Sequence, residues 1–130
     1  MVPMLAARQV LGERGEKIAE DWLIERGWTI SARRFRSGHR DIDLVAEREN
    51  SDGAGRLIAF VEVKTRVSAG YGGPLAAVHW RKQREMARAA RDWMGHFRRP
   101  GDIYRFDVVG VVFDGTGPEV VHIENAFTVR

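Results

Sequence analysis

The pattern of apolar and polar positions divides the chain into seven elements. From Glu13 to Arg26 apolar residues recur at helical spacing, as Ile18, Ala19, Trp22 and Leu23, and Gly27 follows. That predicts a helix stopped by the glycine. Trp28 to Phe35 reads as a strand, RSGH (Arg36 to His39) as a turn and DIDLVAE (Asp41 to Glu47) as a second strand. The polar, glycine-containing stretch from Arg48 to Arg56 reads as a loop. LIAFVEVKT (Leu57 to Thr65) is mostly apolar and rich in β-branched residues, the pattern of a central strand.

SAGYGGP (Ser68 to Pro74) breaks that pattern. Leu75 to Phe97 then predicts a long helix, its apolar side built from Leu75, Val78, Met86, Ala89, Ala90, Trp93 and Phe97. Arg105 to Phe113 and Val120 to Glu124 complete the chain as strands. The order is α-β-β-β-α-β-β. Short connections between the first strands favour an antiparallel meander, so the expected class is α/β in the broad sense (α+β), a mixed central sheet with helices packed on it. At 130 residues, with no repeat, linker or low-complexity tract, residues 1–130 are expected to form one domain, residues 1–12 being a loosely packed arm.

Composition narrows the chemistry. There is no cysteine, which excludes disulfides, thiolate zinc sites, iron–sulfur clusters and a cysteine nucleophile. No apolar run approaches the roughly 18 residues of a membrane helix. The opening MVPMLAARQVLG lacks a basic segment followed by an apolar stretch, so a cytoplasmic protein with no membrane partner is expected. The net charge is only +3, but it is unevenly spread. Between His79 and Arg99 stand Arg81, Lys82, Arg84, Arg88, Arg91, Arg98 and Arg99 against only Glu85 and Asp92. A second cluster is Arg33, Arg34, Arg36 and Arg40. Clustered arginine suits either a polyanionic partner or a solvated helix face.

Two strands carry charge where a buried strand should not. With period two, Ile58, Phe60, Glu62 and Lys64 share one face of the third strand, and Leu57, Ala59, Val61 and Val63 the other. On the second strand Asp41, Asp43 and Val45 are expected on one face, and Ile42, Leu44 and Ala46 on the other. If the strands are neighbours, Asp43 and Glu62 approach each other. Adjacent carboxylates repel, and a divalent cation is one common relief. Oxygen donors without cysteine favour Mg²⁺ or Mn²⁺ over zinc. Arginine outnumbers lysine by 18 to 3, so Lys64 beside Glu62 hints that an ammonium is needed there. The competing reading is a salt bridge on a half-exposed strand end.

An aspartate followed on the next strand by Glu-x-Lys resembles the PD-(D/E)xK nuclease superfamily, with its restriction-endonuclease-like fold. More narrowly, GEKIAEDWLIERGW, DIDLVA, FVEVKTR, YGGPLAAV with WRKQ, YRFDVVGV and ENAF make the chain similar to the YraN-like family. They span nearly the whole sequence. More distantly it is similar to archaeal Holliday-junction resolvases, which also carry a glutamate in the first helix.

The resemblance implies a divalent metal, Mg²⁺ or Mn²⁺, held by Asp43, Glu62, the main-chain carbonyl of Val63 and Glu16, with Lys64 positioning the attacking water. It implies DNA as partner, with Lys82 and Gln83 at a family position; the clustered charge adds Arg34, Arg36, Arg40 and Arg66 as expected contacts and the loop adds Tyr71, and the resemblance is compatible with a homodimer, since junction-cleaving relatives act as dimers. For Tyr71 the choice is between a base-stacking ring on a mobile loop and a plain connector, and for Lys82 and Gln83 between a phosphate contact and a solvated helix end. Asp41 stands where the family has glutamate, which shortens its reach. Asp107 is expected to support structure, paired with an arginine. Trp22, Trp28, Trp80 and Trp93 are expected in the core, and His39, His79, His96 and His122 show no metal-ligand spacing. The functions left in play are a metal-dependent nuclease selecting branched DNA, a non-cleaving nucleic-acid-binding accessory protein, and an interaction scaffold.

Overall fold

A computed structural model describes residues 4–67 and 78–129. Its elements follow the expected order: α1 (Met4–Glu25), β1 (Thr29–Ser37), β2 (Arg40–Glu49), β3 (Arg56–Arg66), α2 (Trp80–Phe97), β4 (Ile103–Phe113) and β5 (Pro118–Phe127). The strands form one sheet in the order β1-β2-β3-β4-β5. β1, β2 and β3 are an antiparallel meander, β3 and β4 run parallel with α2 in the connection, and β5 returns antiparallel to β4.

Helix α1 begins at Met4, so residues 4–12 of the expected loose arm are its first turns, residues 1–3 lying outside the described residues; Met, Leu, Ala, Arg and Gln there are strong helix formers. It ends as the sequence dictates. Gly27 takes φ +93, its N–H donates to Ile24 O, and Trp28 N–H donates to Leu23 O, the paired bonds of a Schellman cap. Helix α2 begins at Trp80 rather than Leu75. His79 is extended and caps it, its Nδ1 accepting from Arg81 N. Residues 75–77 lie outside the described residues.

The two helices cover opposite faces of the sheet. On the α1 side Ala19 and Leu23 pack on Leu44, Ala46, Ala59, Val61, Val63, Val109 and Val111. On the α2 side Ala89, Ala90 and Trp93 pack on Ile42, Val45, Ile58 and Phe60. β3 therefore obeys the expected alternation and is apolar on both faces because both are covered. β2 does not obey it. Leu44 and Ala46 face α1, but Ile42 faces α2 with Val45. The break falls at Asp43, opposite Arg34, which takes φ +47, and the backbone register between β2 and β3 ends at Leu44↔Val61. Beyond that pair the strands part, and the acidic residues stand at the opening.

Candidate metal and nucleic-acid site

Asp43 fills the gap between the parting strands. Its Oδ2 accepts the backbone N–H of Val63 at 2.8 Å, so the carboxylate supplies the acceptor that the β2 backbone no longer offers. This bond sets Asp43 beside Glu62. Glu62 is 5% exposed and comes from the α2-facing side of β3. Its Oε2 is buried without a hydrogen-bond partner. Two ammoniums approach it: Lys64 Nζ lies 3.8 Å from Oε1, and Lys82 Nζ lies 3.5 Å from Oε2 without hydrogen-bond geometry. Lys82 bonds Asp41 Oδ1 instead, at 3.2 Å.

These surroundings raise both acids. Burial pushes the Glu62 carboxyl up to about 7, and the neighbouring Asp43 charge adds to it, against the pull of Lys82 and Lys64. Burial also raises Asp43; the Val63 N–H opposes this and the charge of Glu16 reinforces it. Burial alone lowers Lys82, but Glu62, Asp41 and Asp43 together outweigh it and hold the ammonium above its ordinary value.

Glu16 reaches the same place from α1. Helix and strand touch at Gly15, where an added Cβ would stand 1.9 Å from Thr65 Oγ1, so only glycine lets α1 lie this close to the end of β3. Glu16 borders a cleft of about 290 Å³ with Arg36, Asp41 and Asp43, and a groove of about 450 Å³ with Lys64 and Arg66. Its carboxylate is engaged by Arg34 Nε at 3.0 Å. The structure thus joins Asp43, Glu62, Lys64 and Lys82 directly and brings Glu16 to the rim. Among the described residues no three acids or histidines are already gathered around one point. A cavity of about 600 Å³ opens at the other end of the sheet beside Arg48, Leu57 and Tyr104, away from this chemistry.

The cationic positions divide. Arg36 is exposed, Arg66 lines the groove, and Arg40 is half-buried with its Nε unpartnered. Arg34 is bound to Glu16, and Arg33 is bound to Glu20. Gln83 donates to Val78 O and shapes the start of α2. Tyr71 lies outside the described residues. Asp107 is fully buried and accepts from Arg105, His122 Nε2 and the Asn125 N–H, the arginine pairing that the sequence suggested. Trp80 corrects an expectation: it is 53% exposed. At 100° per residue Trp80 falls opposite the buried stripe of Met86, Ala89, Ala90 and Trp93. Lys82 joins the site by the same signal as Lys64. It is one of only three lysines, and the scarcity that singled out Lys64 applied equally to it.

Residues 15–111, a span that holds every joined site residue, match the model described as "Uncharacterised protein family UPF0102", and the chain belongs to that family. It is 43% identical over 120 residues to a UPF0102 protein of Trichlorobacter lovleyi, covering 92% of this chain and 91% of the relative. It is 41% identical over 117 residues to one from Geobacter metallireducens, covering 90% and 91%. Among solved structures, SfsA of Pyrococcus furiosus in complex with Ca²⁺ is similar at a TM-score of 0.32 and 12% identity, over 94% of this chain and 65% of that one. A likeness that low bears on neither fold nor function. No helix among the described residues is long and apolar enough to cross a membrane.

Proposed function

We propose that the protein is a metal-dependent nuclease of the PD-(D/E)xK type, hydrolysing phosphodiester bonds in DNA with a preference for branched substrates. One observation carries the reading: a half-buried carboxylate, Asp43, and a buried one, Glu62, are held side by side where β2 and β3 part, and Glu62 Oε2 is left without a hydrogen-bond partner. Neither has an arginine partner among the described residues, although the chain is rich in arginine. A purely structural acid pair would repel and leave a buried acceptor unsatisfied, which costs about 1–3 kcal/mol.

The donors suit a hard divalent ion, Mg²⁺ or Mn²⁺. Asp43, Glu62 and the Val63 carbonyl would hold it, with Glu16 joining if it leaves Arg34. Such an ion, when bound, polarises a phosphate oxygen and acidifies a water. The chain's own residues do the rest. The Val63 N–H fixes the Asp43 carboxylate. Glu62 must give up its proton to act as a ligand. Lys64, beside Glu62, orients the attacking water and meets the negative charge that develops on phosphorus oxygens. Arg36, Arg40 and Arg66 stand near enough to hold flanking phosphates, contacts that carry no sequence information.

A second reading has its own support. Lys82 already stands against Asp41 and Glu62, as in an ion-paired knot of a protein that binds nucleic acid without cutting it. Purified protein incubated with duplex, single-stranded and four-way-junction DNA, and with RNA, in Mg²⁺ or Mn²⁺ separates the two. The nuclease reading expects cleavage that disappears with chelator and in Asp43→Ala, Glu62→Ala and Lys64→Ala. Cleavage surviving in all three variants marks a contaminant, and binding without cleavage supports the second reading.

A further inference from the structure

Trp80 is the tryptophan that the core does not absorb. Trp28 and Trp93 are buried and Trp22 packs against the α1-side core, whereas Trp80 stands at the first position of α2, more than half exposed. Isolated surface hydrophobics are ordinary. This one is not isolated. The guanidinium carbons of Arg81 and Arg84 lie 5.3 and 5.9 Å from its ring centroid. Arg88 and Arg91 continue the line along the outward side of the helix, opposite the buried stripe. Arg33, Arg34, Arg56 and Arg105 are all engaged by carboxylates, but none of Arg81, Arg84, Arg88 and Arg91 makes an ion pair among the described residues. The stripe therefore leaves its charge to solvent, and with it about half of its one large aromatic side chain, which among the described residues only the exposed Arg81 and Arg84 and the His79 ring flank.

Resting on the reading that nucleic acid is the substrate, we propose that Trp80, Arg81, Arg84 and Arg88 form a docking site for an unpaired nucleic-acid strand. Trp80 stacks on an unpaired base and the arginines take the flanking phosphates. Bases within a duplex already stack on one another and offer the indole no free face, so this platform separates single-stranded or branched nucleic acid from continuous duplex. Its position suits the candidate site. Trp80 and Lys82 share the first turn of α2, on opposite sides of a helix roughly 10–12 Å across, and Lys82 reaches Glu62. A strand crossing the start of α2 passes from the platform to the acidic pair within a few nucleotides.

The test is fluorescence anisotropy with the full chain in chelator, using an oligo-dT strand, the matching oligo-rU strand and a duplex. Trp80→Ala is expected to weaken binding of the single strands by about 10- to 100-fold and to change duplex binding by less than about three-fold, with Trp80→Phe restoring most of the loss. Arg84→Ala with Arg88→Ala is expected to weaken single strand and duplex alike and to reduce the salt dependence of both. A melting temperature shared by all variants excludes misfolding, and Trp80→Phe supplies the comparison if Trp80→Ala melts early. Single-strand affinity unchanged in Trp80→Ala, or single strand and duplex weakened equally, overturns the proposal. Trp80-dependent binding by protein that cleaves nothing in Mg²⁺ keeps the docking site and removes the nuclease.

Discussion

The N–H of Val63 donates to Asp43 Oδ2 across 2.8 Å, just past the last backbone pair between β2 and β3, Leu44↔Val61. The bond closes the ladder with a side chain and thereby fixes a second carboxylate beside Glu62. Asp43→Asn can keep an acceptor for Val63 while removing the charge. The expected result is a protein that at about pH 8 is as stable as the parent or more so, by about 1 kcal/mol, yet inactive, because the charge repulsion serves function rather than folding. Urea unfolding beside an activity assay checks this; a loss of several kcal/mol shows the charge itself to be structural.

Glu62 makes stability depend on pH in a defined direction. In the unfolded chain it ionises near 4.5; in the folded protein it keeps its proton until about 7. The unfolded state therefore loses that proton first, and this group's contribution falls as pH rises between those values, by at most roughly 3 kcal/mol. Glu62→Gln removes the dependence. Thermal melts of parent and variant across that window should converge at the acid end and separate at the alkaline end, the variant being the more stable there.

Gly15 and Thr65 set how close α1 comes to β3. Gly15→Ala drives a methyl into Thr65 Oγ1, and its cost, about 1–3 kcal/mol from overpacking, exceeds the 0.5–1 kcal/mol or so that alanine contributes as a better helix former. Thr65→Ala in the same protein removes the nearest atom and should recover part of the loss. Chemical denaturation of the two single variants and the double variant measures that coupling, and additive losses contradict the contact.

Far from the site, Arg56 gathers Asp102 at 2.7 Å, Glu47 at 2.9 Å and the Phe97 carbonyl. Its guanidinium holds the Asp102 carboxyl down to about 2, with the Arg99 N–H and the Tyr104 hydroxyl helping. Here the sign is opposite to that of Glu62. The stability from Asp102 is complete above about 4 and is lost as pH falls through about 2. Arg56→Met leaves Asp102 nearly buried and uncompensated, and should cost about 3 kcal/mol near neutrality and much less in acid. Equal losses at both pH values would rule out the charge as the cause.

How much of this was legible in the sequence depended on whether the cause was local. The element order, the Gly27 cap and the two-faced β3 follow from periodicity and turn chemistry. The first turns of α1 did not show, because Val10 is exposed and no apolar stripe marks them. The faces of β2 were misassigned because the break at Asp43 comes from the parting of two strands and a positive φ at Arg34, neither of which alternation encodes. The Asp43–Glu62 pairing was legible as soon as the strands were neighbours. Lys82 was not placed there, since its reach to Glu62 depends on where α2 packs. Trp80 was legible, since helical phase alone sets it opposite Met86, Ala89, Ala90 and Trp93 wherever the helix begins, and its apolar side chain outweighed that phase.

The central claim is that Asp43 and Glu62 hold a divalent cation. Its most direct test is calorimetric titration of the protein with Mn²⁺ on either side of about pH 7, in the parent, Asp43→Asn and Glu62→Gln. The account predicts a single saturable site in the parent, bound more tightly on the alkaline side because Glu62 must shed its proton, and no comparable binding in either variant. Binding that is indifferent to both substitutions, or none in the parent on either side, contradicts it.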